Sequence, residues 1–199
     1  MSMKEDTAPE LTVRELRSDD WPHLKALFGP RGACGGCWCM YWRIPHGGKT
    51  WQAVVGEPNK RKMRQLVGDG KARGILAFHD DTPVGWCSFG RRTEFPRTET
   101  VKAYHREDIE RVWSINCFYI ARGYRNKGVA HLLAEAAVRA IRRRRGKVIE
   151  AYPVPLTKDG KKLPAAFAYT GPEVVFQKLG FREVQRRSFS RPLYRLNLQ

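Results

Sequence analysis

The segment with the clearest chemical potential is a glycine-containing loop between a strand-like and a helix-like stretch. Residues 112–120 (VWSINCFYI) are dense in β-branched and aromatic side chains, and apolar residues recur at helical spacing from Val129 onward. The loop 121–128 (ARGYRNKG) is basic, and it enters the helix where backbone N–H groups are unpaired and the helix dipole is positive. This arrangement predicts an anion site that favours phosphate, although an ordinary turn with surface basic residues is an equal alternative. The loop matches neither the Walker A pattern nor the dinucleotide-binding glycine fingerprint.

Three closely spaced cysteines raise the question of a metal site. Cys34, Cys37 and Cys39 contain a CxxC, and His46 follows them. Three thiolates and one imidazole could hold zinc. Because the sequence has no second CxxC, we favour a tight turn with buried thiols and predict no metal here.

Two stretches place the basic loop in a family context. Residues 125–130 (RNKGVA) fit the pattern Arg/Gln-x-x-Gly-x-Gly/Ala, and residues 175–181 (VFQKLGF) look like a late helix followed by Gly-Phe. With the order of elements along nearly the whole chain, these residues resemble the GNAT superfamily of acetyl-CoA-dependent N-acetyltransferases. The resemblance implies an enzyme that transfers the acetyl group of acetyl-CoA to a primary amine by direct attack in a ternary complex. Proximity of the two substrates, with amide donors to the oxyanion, would then supply much of the acceleration.

The resemblance also implies where the co-substrate acetyl-CoA binds. A V-shaped opening between the strand that begins at Val112 and the one that begins at Lys147 would hold the thioester. At a bulge in the central strand, the backbone of Phe118, Tyr119 and Ile120 would pair with the pantetheine arm. The backbone amides of six consecutive residues would bind the pyrophosphate: Arg125, Asn126, Lys127, Gly128, Val129 and Ala130.

The general base does not follow from the family pattern. Members of the family often carry a carboxylate on the central strand, whereas the corresponding residues 114–116 here are Ser, Ile and Asn. A remote carboxylate acting through water is an alternative, and Glu94 and Glu150 are the candidates. For either, a solvated surface carboxylate is the competing interpretation.

The family pattern does not identify the general acid either. Phe176 stands where the family frequently has a tyrosine, and a phenyl ring has no proton to donate. Tyr169 and Tyr152 are the substitutes, and we favour Tyr169 because it would precede a late helix capped by Thr170. For both, a packed aromatic ring with a satisfied hydroxyl is an alternative.

Aromatic residues are concentrated at Trp38, Tyr41 and Trp42, with Trp51 nearby. In GNAT-like proteins the corresponding region commonly walls the acceptor site, so the resemblance implies an apolar acceptor pocket here. Plain core packing is the competing interpretation. The expected acceptor is a small molecule, and a peptide or protein amine is the runner-up.

The elements that must position these residues form one mixed α/β domain over residues 1–199. The periodicities predict the order β-α-α-β-β-β-α-β-α-β-β, with a hairpin at residues 80–83 and a long helix from Val129 that Gly146 ends. The expected fold is GNAT-like: a mixed, mostly antiparallel twisted sheet flanked by helices, with a central splayed strand pair.

Composition bounds the remaining possibilities. The chain has 199 residues, of which 42% are hydrophobic, and this excludes global disorder. Its apolar runs fall far short of the ~20 residues that span a bilayer, so we expect no membrane segment and a cytoplasmic protein. The net charge of +17 and the run Arg142–Arg145 suit a polyanion, but a solvated helix end is the favoured interpretation of that run. The alternative function is a basic nucleic-acid-binding or regulatory module that keeps a CoA pocket without catalysis. We nevertheless expect no nucleic-acid partner. The oligomeric state is left open, with a homodimer as one option.

Overall fold

The computed structural model describes residues 10–45, 48–155, 157–158, 161–162, 164–186 and 191–199. Within these residues, a seven-stranded sheet has the order β1-β2-β3-β4-β5-β9-β8, and β6 and β7 pair with each other separately. The strands are β1 Leu11–Glu15, β2 Gly74–His79, β3 Thr82–Arg91, β4 Val112–Ile120, β5 Val148–Ala151, β6 Thr157–Lys158, β7 Lys161–Lys162, β8 Arg182–Gln185 and β9 Leu193–Asn197. The α-helices are α1 Trp21–Phe28, α2 Gly48–Val54, α3 Glu57–Gly68, α4 Val129–Arg143 and α5 Glu173–Lys178.

The sheet opens between its two parallel strands. β4 and β5 pair in parallel from Val112 with Val148 to Ile115 with Ala151, where β5 ends. β4 continues to Ile120, held only by antiparallel pairing with β3. The register of that pairing shifts at Asn116, which is the bulge expected at this point. The prediction of a mostly antiparallel sheet with a splayed central pair is confirmed.

Helices cover both faces of the sheet because successive strand residues point to opposite sides. In β2, Ile75 packs in the same cluster as Leu133 of α4, whereas its neighbour Leu76 packs with Leu24 of α1 and Met63 of α3. All five of these side chains are buried. The sheet that contains the fork therefore lies between two packed helical layers.

A buried carboxylate fixes the start of α1. Burial alone would raise the pKa of Asp20, but hydrogen bonds from Arg14, from the backbone N–H of Arg17 and from His23 outweigh it and lower the pKa to about 2. Asp20 is 2% exposed. The link from Arg14 to Asp20 therefore ties β1 to α1 by charge-assisted hydrogen bonds.

Two predicted helix boundaries are wrong. Thr170 does not cap the late helix: it ends a 3-10 turn, Ala165–Thr170, and α5 begins only at Glu173. Gly171, with φ +88°, and the extended Pro172 separate the two, and backbone bonds with Val154 hold this break.

α4 ends at Arg143, three residues before the predicted glycine terminator. Arg145, not Gly146, takes the left-handed conformation there, with φ +56°. Gly146 is required for another reason, since a Cβ at this position would lie 2.4 Å from the Ile141 side chain. Helix α2 was not predicted. The composition of residues 29–50 suggests an irregular loop with a short helix around Trp38–Trp42, and the structure has a 3-10 turn there, at Tyr41–Arg43, and α2 further on.

The arginine-rich end of α4 is partly neutralised within the fold. Arg143 and Arg144 both form ion pairs with Glu15 of β1, at 2.6 Å and 2.5 Å. The helix end thereby docks on the edge strand of the sheet. In the part of the chain that the structure describes, none of the helices combines the length and the apolar character needed to cross a membrane.

Candidate active site

A large cavity opens along the free edge of β4, beyond the fork. Its volume is about 1160 Å³. Residues from both faces of the sheet line it, since Phe28 of α1 and Trp86 of β3 come from one side and Leu132 of α4 and Val175 of α5 from the other. The cavity therefore passes through the opening in the sheet instead of lying on one face.

The first end of the cavity is formed by the predicted phosphate loop. Gly128 is the N-cap of α4 with φ +78°, and a Cβ placed there would meet no atom within 4 Å. The Arg125 side chain donates from Nε to the Ile120 carbonyl at 2.9 Å, which ties the loop to the end of β4. Of the six residues predicted to bind pyrophosphate, all except Lys127 line the cavity: Arg125, Asn126, Gly128, Val129 and Ala130.

The middle of the cavity follows the unpaired edge of β4. Cys117, Phe118, Tyr119 and Ile120 line it. At ~3.3 Å per residue, the five residues from the fork at Ile115 to Ile120 span ~16 Å of exposed strand edge. An extended ligand arm can therefore lie along β4 between the fork and the phosphate loop.

Aromatic rings enclose the other end of the cavity. Tyr41 contacts the rings of Trp42, Trp51 and Tyr169, with centroids 5.2 Å, 5.4 Å and 5.9 Å away. All four residues line the cavity, and we call them the aromatic chamber. Trp38, also predicted for this pocket, does not line the cavity and packs instead in the core beneath α1.

Glu150 and Tyr152 belong to a closed network outside the cavity lining. Arg92 donates from Nε to one carboxylate oxygen of Glu150 at 2.9 Å, and Arg195 donates to the other at 2.9 Å and 2.7 Å. The Tyr152 hydroxyl donates to Glu150 at 2.9 Å, and burial raises the pKa of Tyr152 well above its usual value. Glu150 and Tyr152 are completely buried, and neither lines the cavity.

Glu94 is likewise engaged elsewhere. Its carboxylate accepts hydrogen bonds from Arg73 at 2.6 Å and Arg43 at 3.3 Å, and from the backbone N–H of Arg91. It does not line the cavity. Neither candidate carboxylate therefore lines the cavity, although Glu150 lies on β5 next to the fork.

Tyr169 is the one candidate proton donor that reaches the cavity. It lies in the 3-10 turn before α5, and its ring contacts Trp42 as well as Tyr41. Burial raises its pKa, so the hydroxyl carries its proton at neutral pH. The predicted helix cap is wrong, but the tyrosine still faces the aromatic chamber because the chain after β5 folds back over the fork.

A pair of thiols beside the fork was missed in the sequence. Cys39 and Cys117 both line the cavity, and Trp86 donates from Nε1 to the Cys39 sulfur at 3.2 Å. A hydrogen bond from Cys117, together with that of Trp86, lowers the pKa of Cys39 below its usual value despite burial. The available signal was Cys117 itself, because this thiol comes directly after the bulge position on the predicted central strand.

The three clustered cysteines do not form a metal-binding set in the structure. Among the described residues, no group of three or more His, Cys, Asp or Glu is placed to hold a metal ion. Cys34, Cys37 and Cys39 are free thiols. His46, the fourth ligand considered, lies outside the described residues.

Comparison with known families identifies the class of protein. The sequence matches the acetyltransferase (GNAT) family over residues 37–156, more than half of its 199 residues. The chain therefore belongs to the acetyltransferase (GNAT) family. The resemblance and the acetyltransferase class predicted from the sequence are confirmed. No curated protein matches the chain.

Solved structures share the fold over almost the whole chain. The PaiA N-acetyltransferase of Thermoplasma acidophilum, solved in complex with coenzyme A, is 13% identical with a TM-score of 0.55, and the match covers 95% of this chain and 99% of that one. The Salmonella typhimurium protein yncA, solved with its cofactor acetyl-CoA, is 15% identical with a TM-score of 0.53 and coverage of 95% and 94%. A ribosomal-protein-alanine N-acetyltransferase from Brucella melitensis is 17% identical with a TM-score of 0.53 and coverage of 94% and 99%. At these identities the likeness establishes the fold.

Proposed function

We propose that the protein transfers the acetyl group of acetyl-CoA to the primary amine of a small molecule, by direct attack in a ternary complex. One observation carries the proposal: a single cavity joins the Gly128 loop, the free edge of β4 and the aromatic chamber. A CoA derivative entering at the loop and an amine entering at the chamber would meet at the fork. Such an arrangement makes the reaction effectively unimolecular.

The cavity fits coenzyme A at each point along its length. The open space over Gly128 leaves room for a phosphate at the N-terminus of α4, where backbone N–H groups and the helix dipole favour an anion. On the edge of β4 that faces away from β3, backbone groups of Phe118, Tyr119 and Ile120 can pair with the amides of the pantetheine arm, apart from the Ile120 carbonyl, which accepts from Arg125. Fold neighbours with coenzyme A and acetyl-CoA bound support this assignment.

We further assign the proton steps to groups that face the cavity. The attacking amine forms a C–N bond as the C–S bond of the thioester breaks, so the nitrogen must lose a proton and the departing sulfur must gain one. Cys39, whose lowered pKa suits a proton acceptor near neutrality, would take the first proton. The Tyr169 hydroxyl would supply the second. Glu94 and Glu150 are held by arginines, and we assign them no step.

The aromatic chamber favours a compact acceptor. Tyr41, Trp42 and Trp51 surround the space beyond the fork, and apolar walls suit the body of a small molecule. A peptide or protein amine is the alternative. We place the reaction in the cytoplasm because all five cysteines are free thiols.

The test begins with binding and continues with turnover. Calorimetry should detect CoA binding to the full chain, and pantetheine without the nucleotide phosphates should bind much more weakly. Release of CoA from acetyl-CoA is then followed by chromatography during incubation with amino acids, aminoglycosides, polyamines and peptides, because the free thiols of the protein would react with a thiol reagent. Release with small amines is the expected result; release with peptides alone would shift the acceptor class. CoA binding without release by any amine would overturn the proposed activity.

A further inference from the structure

Arg191 is held at the acceptor end of the cavity. Its guanidinium lies 4.7 Å from the centroid of the Tyr169 ring, and its Nη2 donates to the Phe167 carbonyl at 3.4 Å. The Tyr104 hydroxyl donates to the Arg191 carbonyl at 2.7 Å, which fixes the backbone just before β9. Arg191 lines the cavity beside the aromatic chamber. The fold thus positions a cationic group where the acceptor would bind.

Arg191 has no ion-pair partner in the part of the chain that the structure describes. Within the described residues no carboxylate pairs with it, whereas Arg92 and Arg195 each pair with Glu150. Glu135 is the one acidic side chain lining the described part of the cavity, and Arg139 pairs with it at 2.8 Å on α4. Among the described residues, the positive charge at the acceptor end therefore has no counter-ion.

Hydrogen-bond donors are also in excess at this end. The Nε of Arg191 is buried and has no hydrogen-bond partner among the described residues, and the same is true of the indole Nε1 of Trp42. Leaving a buried donor unpaired is costly, so such groups commonly find their acceptor in a ligand. A guanidinium presents a planar fork of N–H groups that matches a carboxylate in geometry and charge.

We propose that the acceptor is an amine that also carries a carboxylate, which Arg191 binds while an apolar body packs in the aromatic chamber. This inference rests on the proposed function and narrows it to an amino-carboxylic acid. Arg191 would orient the acceptor, so we regard it as a specificity residue and not as an acid or base.

The test compares amines that differ only in the carboxylate. Phenylalanine and phenethylamine form one pair, and tryptophan and tryptamine form another. An Arg–carboxylate contact predicts a kcat/KM about 10–100-fold higher for the acid than for the amine of each pair. Most of this difference should appear as a lower KM for the acid. Equal or better use of the decarboxylated amines by the wild-type protein would overturn the proposal while leaving acetyl transfer intact.

Variants then assign the preference to Arg191. In Arg191→Gln the acid-to-amine ratio of kcat/KM should fall towards 1, and Arg191→Lys should recover part of it. Arg182→Gln, an exposed arginine on the same terminal strand pair, is the matched control and should keep the ratio. CoA affinity should be unchanged in Arg191→Gln; a large loss would mean that Arg191 binds the phosphates of CoA, and would refute the assignment.

A binding experiment keeps the inference testable without turnover. N-Acetylphenylalanine and N-acetylphenethylamine resemble the two products, and their affinities for the CoA-loaded wild-type protein can be compared by calorimetry. Tighter binding of the acid, lost in Arg191→Gln, supports the carboxylate site. Equal affinities would overturn it, whereas failure of the proposed function would appear separately, as CoA binding without release by any amine.

Discussion

Replacing Gly128 with alanine tests the phosphate loop with a change of one methyl group. Gly128 has φ +78°, and the new Cβ would enter space that holds no protein atom within 4 Å. The cost to the fold is therefore conformational, ~1–2 kcal/mol for an L-residue in the left-handed region. For a chain of this size that corresponds to a fall in Tm of ~2–8 °C. The protein should remain folded.

Binding of CoA should suffer much more than stability. If phosphate occupies the space over Gly128, the methyl group displaces it from the backbone N–H groups at the start of α4. Hydrogen bonds to a charged group contribute ~1.5–3 kcal/mol each, so loss of one predicts a decrease in affinity of ~10–100-fold. Calorimetric titration with CoA measures this directly, and the melting temperature is recorded on the same samples.

Gly70 provides the matched control. It follows α3 with φ +64°, a Cβ there would also meet nothing within 4 Å, and it does not line the cavity. Gly70→Ala should therefore lose similar stability and bind CoA as the wild type does. A folded Gly128→Ala protein with wild-type affinity, or equal losses of affinity in both variants, would refute the assignment of this loop.

Three further predictions address the acid–base groups and the fold. Tyr169→Phe should lower kcat by ~10²–10⁴ without changing CoA affinity, whereas Tyr152→Phe should mainly reduce stability; the opposite outcome in steady-state assays would give the donor role to Tyr152. Cys117→Ala should raise the pKa of Cys39 by ~1–2 units, because the Cys39 thiolate loses a hydrogen-bond donor. Mass spectrometry would detect this as an upward shift in the pH midpoint of Cys39 alkylation. An unchanged midpoint would contradict the pairing of the two thiols. Asp20 has a pKa of about 2 in the folded protein and ~3.9 in the unfolded chain, so its carboxylate should stabilise the fold by ~1–2 kcal/mol above pH ~4. Urea unfolding should therefore show a difference in the free energy of unfolding between wild type and Asp20→Asn that disappears between pH 4 and pH 2.

The parts of the fold that the sequence predicts are those encoded locally. The dense β-branched run of β4, the basic glycine loop and the amphipathic α4 are adjacent in the chain, so their periodicities specify strand, turn and helix without tertiary information. The helix boundaries failed where a distant contact decides. Thr170 has the chemistry of an N-cap, but Val154 of the preceding segment donates its N–H to the Gly171 carbonyl and accepts from the Glu173 N–H, and these bonds delay α5.

The candidate site was predictable only in part for the same reason. Side chains within the loop and along β4 reach the cavity because their backbone does, so a local motif is sufficient to find them. The environment of Glu150 depends on Arg92 and Arg195, which are far from it in sequence. Arg191 enters the acceptor end through pairing of the last strands, and nothing in the spacing of nearby residues indicates that position.

Polar groups whose hydrogen bonds are all made within the protein have a structural role, whereas groups that face the cavity are available for chemistry. Glu150 accepts hydrogen bonds from Arg92, Arg195 and Tyr152 and is completely buried, so a proton transferred to it would break an established network. A group that exchanges a proton with substrate needs a face turned to the cavity and a pKa near the working pH. Cys39 lines the cavity beside the fork, and hydrogen bonds from Cys117 and Trp86 lower its pKa below the usual value of a thiol. Because β4 carries no carboxylate at the fork, we propose that the amine proton leaves through the Cys39–Cys117 thiol pair that lines the cavity there.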